Sequence, residues 1–382
     1  MKRLLFVPLC LVALAAGGAT RVVQDQCGPF TDVSALFCPY VLEAYYTGIT
    51  AGTSATTFSP DVPITRGQAA VFTSKALNQA LSRGSRRAAL GQWWTTQSIN
   101  SAGIISLGGQ VVTIQSDGTD LWVSDGKGLV HRVHGSDGAQ LGVWTGAVGG
   151  AIPLSAMGSV FLPADSNPGS LYRINPAAPP GAVETVATGL GDFPFGIAFD
   201  GSQIWTANTG GGGPGSVSII QPGLSTPWAV TNVTTGFNSP YAAIFDGQNI
   251  WVTDAGAGSL LRLDATGAIT LTVPLGGVPL LPVFDGRNIW VPNVGLNSVA
   301  VVAASSGAVV ATLSGNGLNG PAAASFDGTR IMIGNSIGVS LWDAASLNPL
   351  GFFLDGVQFG GVCSDGLNFW LTVPANGGLV RF

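Results

Sequence analysis

Charge is scarce in this sequence: 15 Lys and Arg with 20 Asp and Glu make up 9% of 382 residues, against about 25% in an average soluble protein. That scarcity excludes a charge-rich disordered chain and a long charged coiled coil. Only two histidines and three methionines are present, so a histidine-built centre has few places to form. Beyond the first twenty residues no apolar run reaches the ~18 uninterrupted residues of a spanning helix. From Thr96 onward seven basic residues face sixteen acidic ones, the wrong sign for a nucleic-acid surface. Glycine, at 56 residues, and a hydrophobic fraction of 46% are what the chain has in plenty. With a mean hydropathy of +0.41, they imply a soluble, globular body with ample core.

The N-terminus has the layout of an export signal at residues 1–19. Lys2 and Arg3 are followed by thirteen mostly apolar residues, Leu4 to Ala16, and by the small residues Gly17-Gly18-Ala19. Cys10 lies inside the apolar run and leaves with it. Of the remaining cysteines, Cys27 and Cys38 enclose a short stretch and suit a disulfide in an oxidising compartment. Cys363 has no evident partner and reads as a small buried residue.

Residues 27–82 read as helix, loop, helix. Pro39 to Thr47 puts Val41, Leu42, Tyr45 and Tyr46 roughly on one side, with Gly48 placed to end the helix. Thr65 and Gln68 form a capping box, in which each side chain satisfies an open backbone amide. Ala69, Phe72, Ala76 and Ala80 then recur at helical spacing as a narrow apolar stripe. Three segments, Pro29 to Val33, Thr47 to Pro60 and Pro63 to Phe72, resemble the S-layer homology domain in order and spacing. The resemblance implies attachment of an exported protein to a cell-wall polymer or peptidoglycan-associated glycan. Carried onto this sequence, it implies Arg66, flanked by Thr65 and Gln68, as the contact to an anionic polymer, and Asp32 and Gly52 as loop-shaping residues. The family usually carries three copies; one is found here. Residues 83–95, with Arg83, Arg86, Arg87, Trp93 and Trp94, read as a polar linker whose aromatics dock on the next domain, or as a basic patch facing an acidic polymer.

From residue 96 to 382 the chain repeats itself. Asp-Gly-x-x-apolar-Trp recurs at Asp117 with Trp122, Asp200 with Trp205, Asp246 with Trp251, Asp285 with Trp290 and Asp365 with Trp370. Asp327 carries Met332 in the tryptophan position, and a degenerate copy falls at Ala156-Met157 with Phe161. Seven units of about 41 residues result. Within one unit, "PYAAIF", "NIWVTD", "SLLRLD" and "AITLTV" read as four strands, the first two joined at Asp-Gly as by a two-residue hairpin turn. This predicts a mainly β protein, a seven-bladed β-propeller preceded by a small α-helical module. The last unit is one strand short and a surplus β-like stretch, Gln97 to Ser106, precedes the first. Closure of the ring by pairing the two is therefore expected. "FDGQNIWVTDAGAGSLLRLD" resembles the YVTN and virginiamycin-B-lyase-like group of seven-bladed propellers, which agrees on architecture and says little of activity.

Catalytic signals are thin. His131 and His134, three apart on one strand, fall on opposite faces and make poor joint metal ligands. No residue matches the lyases' histidine and acidic motif, so no catalytic residue, metal or cofactor is assigned. Gly334-Asn335-Ser336-Ile337-Gly338 fits the serine-hydrolase pattern but sits between two strands, without the strand-turn-helix setting that chemistry needs. Asp125, Asn208, Asp254, Asn293 and Asn335 each follow the tryptophan position by three residues. They either cap their own turns or form a polar ring at one rim for a protein or carbohydrate ligand. Phe195, Tyr241, Leu280 and Ala322, each after a recurring proline, either pack in the core or line the axial entrance. The expected function is an exported binding or display protein of the cell surface, envelope or periplasm. The alternative is a metal-dependent lyase or hydrolase seated on the propeller axis.

Overall fold

In six of the seven blades the chain reverses at an aspartate followed by glycine, and the aspartate itself holds the turn. In the fourth blade Asp246 Oδ1 accepts the backbone N–H groups of Gln248 (2.8 Å) and Asn249 (2.6 Å), while the Asp246 N–H donates to the Asn249 carbonyl. The glycine takes a left-handed conformation, φ +95° at Gly247, which a residue with a Cβ adopts at a cost. The loop so formed has four residues, Asp-Gly-x-x, because the side chain replaces a turn's usual backbone bond. The expected two-residue hairpin is found only in the degenerate second blade. There Met157 and Gly158, at φ +51° and +70°, join directly paired Ala156 and Ser159.

The second carboxylate oxygen reaches the tryptophan five residues on. Trp Nε1 donates to Asp Oδ2 at 2.9 Å in Trp122–Asp117 and at 2.7 Å in Trp205–Asp200, Trp251–Asp246, Trp290–Asp285 and Trp370–Asp365. In the sixth blade, where Met332 has no N–H, Arg330 Nε takes that role on Asp327 Oδ2 at 2.7 Å. With its one polar atom satisfied, each indole can be buried whole, and all five are at most 1% exposed.

The computed structural model describes residues 27, 29–34, 37, 38, 41, 44, 45, 50–73, 105–135, 138–354, 359–366 and 368–382. The expected signal segment 1–19, the linker 83–95, and Ala76 and Ala80 of the apolar stripe lie outside these residues. The chain divides into two compact units between Arg83 and Gly84.

The second unit is seven four-stranded antiparallel sheets. Blades 1 to 6 occupy residues 113–148, 154–190, 194–233, 240–274, 283–313 and 323–354 in chain order. Blade 4 is typical, with strands Pro240–Phe245, Ile250–Asp254, Ser259–Leu263 and Ile269–Pro274 where the sequence pattern puts them. Blade 7 takes Val362–Ser364, Phe369–Val373 and Gly378–Arg381 from the C-terminus, and its outer strand, Ile105–Ser106, from the start of the unit. Ile105 pairs with Leu379 and Ser106 with Gly378, so the ring closes as the strand count predicts, with Gln97 to Ile104 outside the described residues on this point.

Seven hydrophobic clusters fill the spaces between neighbouring blades, and each contains one tryptophan-position residue: Trp122, Phe161, Trp205, Trp251, Trp290, Met332 or Trp370. Burial of an aromatic side chain of this size contributes on the order of 2–3 kcal/mol. The wheel is therefore held by seven comparable joints rather than one central core.

The first unit has its own small core, in which Cys27, Phe30, Val33 and Val41 are buried and Cys38, Tyr45 and Phe58 pack around them. Cys27 and Cys38 form a disulfide. Phe30 meets Tyr45 edge-on at 5.2 Å between ring centres.

Replacing Asp246 by Ala removes the acceptor of a buried indole together with two turn bonds. A urea titration of Asp246→Ala is expected to lose about 1–3 kcal/mol, whereas Asp246→Asn, which keeps an acceptor, loses less. Burial pushes the carboxyls of Asp117, Asp200 and Asp246 up, but the indole and backbone donors outweigh it and hold all three below the usual aspartate range. A pKa lowered by folding gives stability that is complete above the unfolded value of about 3.9 and is lost as pH falls through the folded value. The stability lost in Asp246→Ala should therefore stay constant down to about pH 5 and shrink below about pH 4; a loss that begins to shrink at pH 6 would contradict this.

Candidate functional site

In the first unit the residues singled out by sequence build a loop and a helix start. Asp32 Oδ1 and Oδ2 accept the backbone N–H groups of Phe58 (2.8 Å) and Ser59 (2.7 Å), fastening the segment before the first helix to the end of the 50–60 loop. The Phe58 bond leads the causes that lower the Asp32 pKa. Gly52 sits at φ +79°, and a Cβ there would stand 2.5 Å from Phe30 Cε1 and 2.7 Å from the Thr57 carbonyl. Thr65 and Gln68 complete their reciprocal cap: the Thr65 N–H donates to Gln68 Oε1 at 2.8 Å and the Gln68 N–H to Thr65 Oγ1 at 3.2 Å. The helix starts at Arg66, which is exposed on its first turn, and Ala69 and Phe72 are its half-buried positions.

The five Asp and Asn positions of the propeller are buried. Asn208 and Asp254 are 0% exposed, Asn293 1%, Asn335 2% and Asp125 6%. Their polar atoms are engaged locally. Asp125 Oδ1 accepts three N–H groups of its own turn, from Lys127, Gly128 and Leu129. Asp254 accepts those of Asn238 and Ser239 in the connection arriving from blade 3, and that of Ala257 in its own turn. Asn293 accepts the Val278 N–H and donates to the Gly276 carbonyl. Asn208 donates to Ser216 and Ser218, and Asn335 to Ser340. The geometry is that of turn and connection caps, not of free groups at a mouth.

The axis itself is hollow. A cavity of about 440 Å³ runs along it, lined by the innermost strands of all seven blades. Phe195, Tyr241, Leu280 and Ala322, the four residues after the recurring prolines, all face it. Among the described residues no Asp, Glu, Lys, Arg or His belongs to the lining, whose polar side chains are those of Thr113, Gln115, Tyr241, Ser325 and Ser364. Burial raises the Tyr241 hydroxyl's pKa, and the nearby Asp165 carboxylate adds to the rise.

The two histidines separate as their spacing predicts. His131 pairs across the sheet with Val123 and His134 with Asp120, and alternation along the strand turns them to opposite faces. His131 is 2% exposed with neither ring nitrogen hydrogen-bonded. Burial lowers its pKa, against smaller opposing pulls from Gln140, which lies near without closing a bond, and Asp125. Among the described residues no three His, Cys, Asp or Glu side chains converge as a metal-holding group. Ser336 lies in a two-residue connection between strands Arg330–Asn335 and Gly338–Asp343, with no helix following. Cys363 is a buried free thiol whose pKa burial raises strongly.

Sequence reading missed the arginines that cover the tryptophans. Arg132, Arg262 and Arg381 pair across the hairpin with Trp122, Trp251 and Trp370. Each guanidinium lies 5.4–5.8 Å from the ring centre, within cation–π range. The signal is a basic residue on the third strand at the register of the tryptophan, visible only once strand pairing is fixed.

Residues 29–70 match the S-layer homology domain family. The second unit is similar to a solved streptogramin B lyase, at 14% identity over 73% of this chain and 96% of that one, TM-score 0.59. Virginiamycin B lyase from Staphylococcus aureus is similar at 15% identity over 71% and 94%, TM-score 0.59. Hydrazine synthase of Kuenenia stuttgartiensis is similar at 16% over 72% and 95%, TM-score 0.61. Identities this low show the fold alone. No curated protein matches the sequence. The chain thus joins an S-layer-homology module to a seven-bladed β-propeller, and no helix among the described residues is long and apolar enough to cross a membrane.

Gly52→Ala should destabilise the first unit by more than the about 1–2 kcal/mol that a left-handed backbone costs an L-residue, because its Cβ also strikes Phe30. Limited chymotrypsin digestion of the full chain should then cut within residues 50–60 while the propeller stays intact; an unchanged digestion pattern would show the loop to be looser than its geometry.

Proposed function

We propose that this is an exported protein of the cell envelope, in which the S-layer-homology module attaches to a cell-wall polymer and the propeller serves as a platform that binds a ligand. The observation that carries the attachment is the family match over residues 29–70 together with an exposed arginine at a capped helix start. S-layer homology domains bind cell-wall polymers, and the family implies a cell-surface or envelope location. A guanidinium offers paired donors to a phosphate or carboxylate of such a polymer, and Asp32 and Gly52 shape the loop beside it. Attachment without a spanning helix suits a chain whose described helices are all short.

For the propeller, the axial cavity supports binding over turnover. A metal-dependent lyase or hydrolase on the axis needs an acid, a base or metal-ligating groups facing the substrate, whereas the described residues of the lining are all neutral. Likeness to the two lyases concerns the fold.

Co-sedimentation of the full chain with purified cell-wall sacculi tests attachment. Wild type should pellet, and Arg66→Ala should pellet several-fold less while its propeller unfolds at the same temperature. Equal pelleting of the two proteins would remove Arg66 from the contact, and no pelleting of the wild type would remove the attachment.

A further inference from the structure

Two irregularities in the innermost strands point at the same place. In blade 3 the pairing with the second strand steps from Pro194–Asn208 to Gly196–Ala207, leaving Phe195 unpaired. In blade 4 it steps from Pro240–Asp254 to Ala242–Thr253, leaving Tyr241 unpaired. A bulge of this kind re-aims the extra side chain and is concentrated next to binding sites. Both bulged side chains are half-buried, both line the axial cavity, and their rings lie 4.7 Å apart at 36°. The two strands are locked side by side at Gly196, where any Cβ would run into the Ala242 backbone. The aromatic pair is therefore fixed in place before any ligand arrives.

Across the axis, the same level of the wall is built differently. Ala322 holds the matching position in blade 6, and blade 7 offers Gly360 and Gly361, where a Cβ would strike the Val112 carbonyl or crowd the Ile114 amide of blade 1. At this level one side of the cavity is aromatic and the other is small side chains and backbone, while Phe245, Phe284 and Phe326 line it from the far ends of the innermost strands of blades 4, 5 and 6. Its volume, about 440 Å³, lies in the usual range for small-molecule sites. A charged ligand would lose its hydration there with no opposite charge among the described lining residues, and the Asp165 field at Tyr241 adds to the penalty for an anion.

We propose that the axial cavity binds an uncharged, flat, largely apolar small molecule, stacked on the Phe195–Tyr241 pair and held against the Ala322 side. This rests on the reading of the propeller as a binding platform and names the chemical class that the platform takes.

The test uses the full chain and two fluorescent probes with the same ring body: neutral N-phenyl-1-naphthylamine and its anionic sulfonate, 8-anilinonaphthalene-1-sulfonate. Titrations are run in high salt to screen long-range repulsion. The neutral probe should bind saturably at one site per chain, at least about tenfold more tightly than the sulfonate. Ala322→Trp, which fills the space opposite the rings, should weaken it by about tenfold or more, and Tyr241→Ala by several-fold through lost stacking. Near-ultraviolet circular dichroism and the thermal midpoint report whether each variant is folded; if Ala322→Trp is not, Tyr241→Ala decides. Absence of saturable binding, equal affinity for the two probes, or binding untouched in the folded variants would overturn the proposal. Sacculus pelleting of the same preparation separates the failures: if pelleting persists, the ligand class is wrong and the attachment stands.

Discussion

The bond from a tryptophan N–H to the aspartate that turns its own hairpin is the constraint on which the propeller depends. A wheel of separate sheets needs a large apolar side chain between every pair of blades, and tryptophan supplies most area per residue. Its N–H, however, must find an acceptor once water is excluded. The aspartate five residues earlier provides that acceptor with one oxygen while the other gathers the amides of the turn. Turn closure and core burial are thus one local event, repeated in five blades. Where the tryptophan is replaced, the device changes accordingly: Arg330 takes over the carboxylate beside Met332, and the second blade, with Phe161 and no N–H to satisfy, dispenses with the aspartate and tightens to two residues.

In blades 1, 3, 4, 5 and 6 the second strand is held at its other end by Asp or Asn, which in blades 4 and 5 fastens the incoming connection from the preceding blade. With that strand pinned at both ends, the innermost strand can vary without loosening the blade. It carries the aromatic bulges in blades 3 and 4 and Ala322 in blade 6. The regular geometry of a propeller and the individuality of its axis therefore reside on different strands. That division explains how a lyase and a hydrazine synthase can share this architecture at 14–16% identity, and why the fold cannot name the activity.

The S-layer-homology module follows a different logic, with a core of few side chains closed by a disulfide and by side chain to backbone bonds. A unit of that size cannot bury enough apolar surface to order its loops by packing alone. Asp32, Gly52 and the Thr65–Gln68 cap do that ordering, and they are the residues that carry the family resemblance.

What the sequence determined by itself were the features written in local spacing: seven hairpins, four strands in each unit, the capping box, and a strand count that required the ends of the propeller to pair. Hairpins and caps are contacts between residues two to five apart, so their pattern survives in one dimension. What only the tertiary structure decided depends on register and closure. The Asp-Gly turn proved to have four residues because the aspartate side chain, in place of a backbone carbonyl, accepts the amides of the turn. The five Asp and Asn positions are buried, with their polar atoms spent on their own turn or blade and, at Asp254 and Asn293, on the incoming connection. Phe195 and Tyr241, ambiguous between core and axis, were turned to the axis by a one-residue slip in pairing. Such a slip leaves no mark in composition or period, because it is settled by how one blade presses on the next.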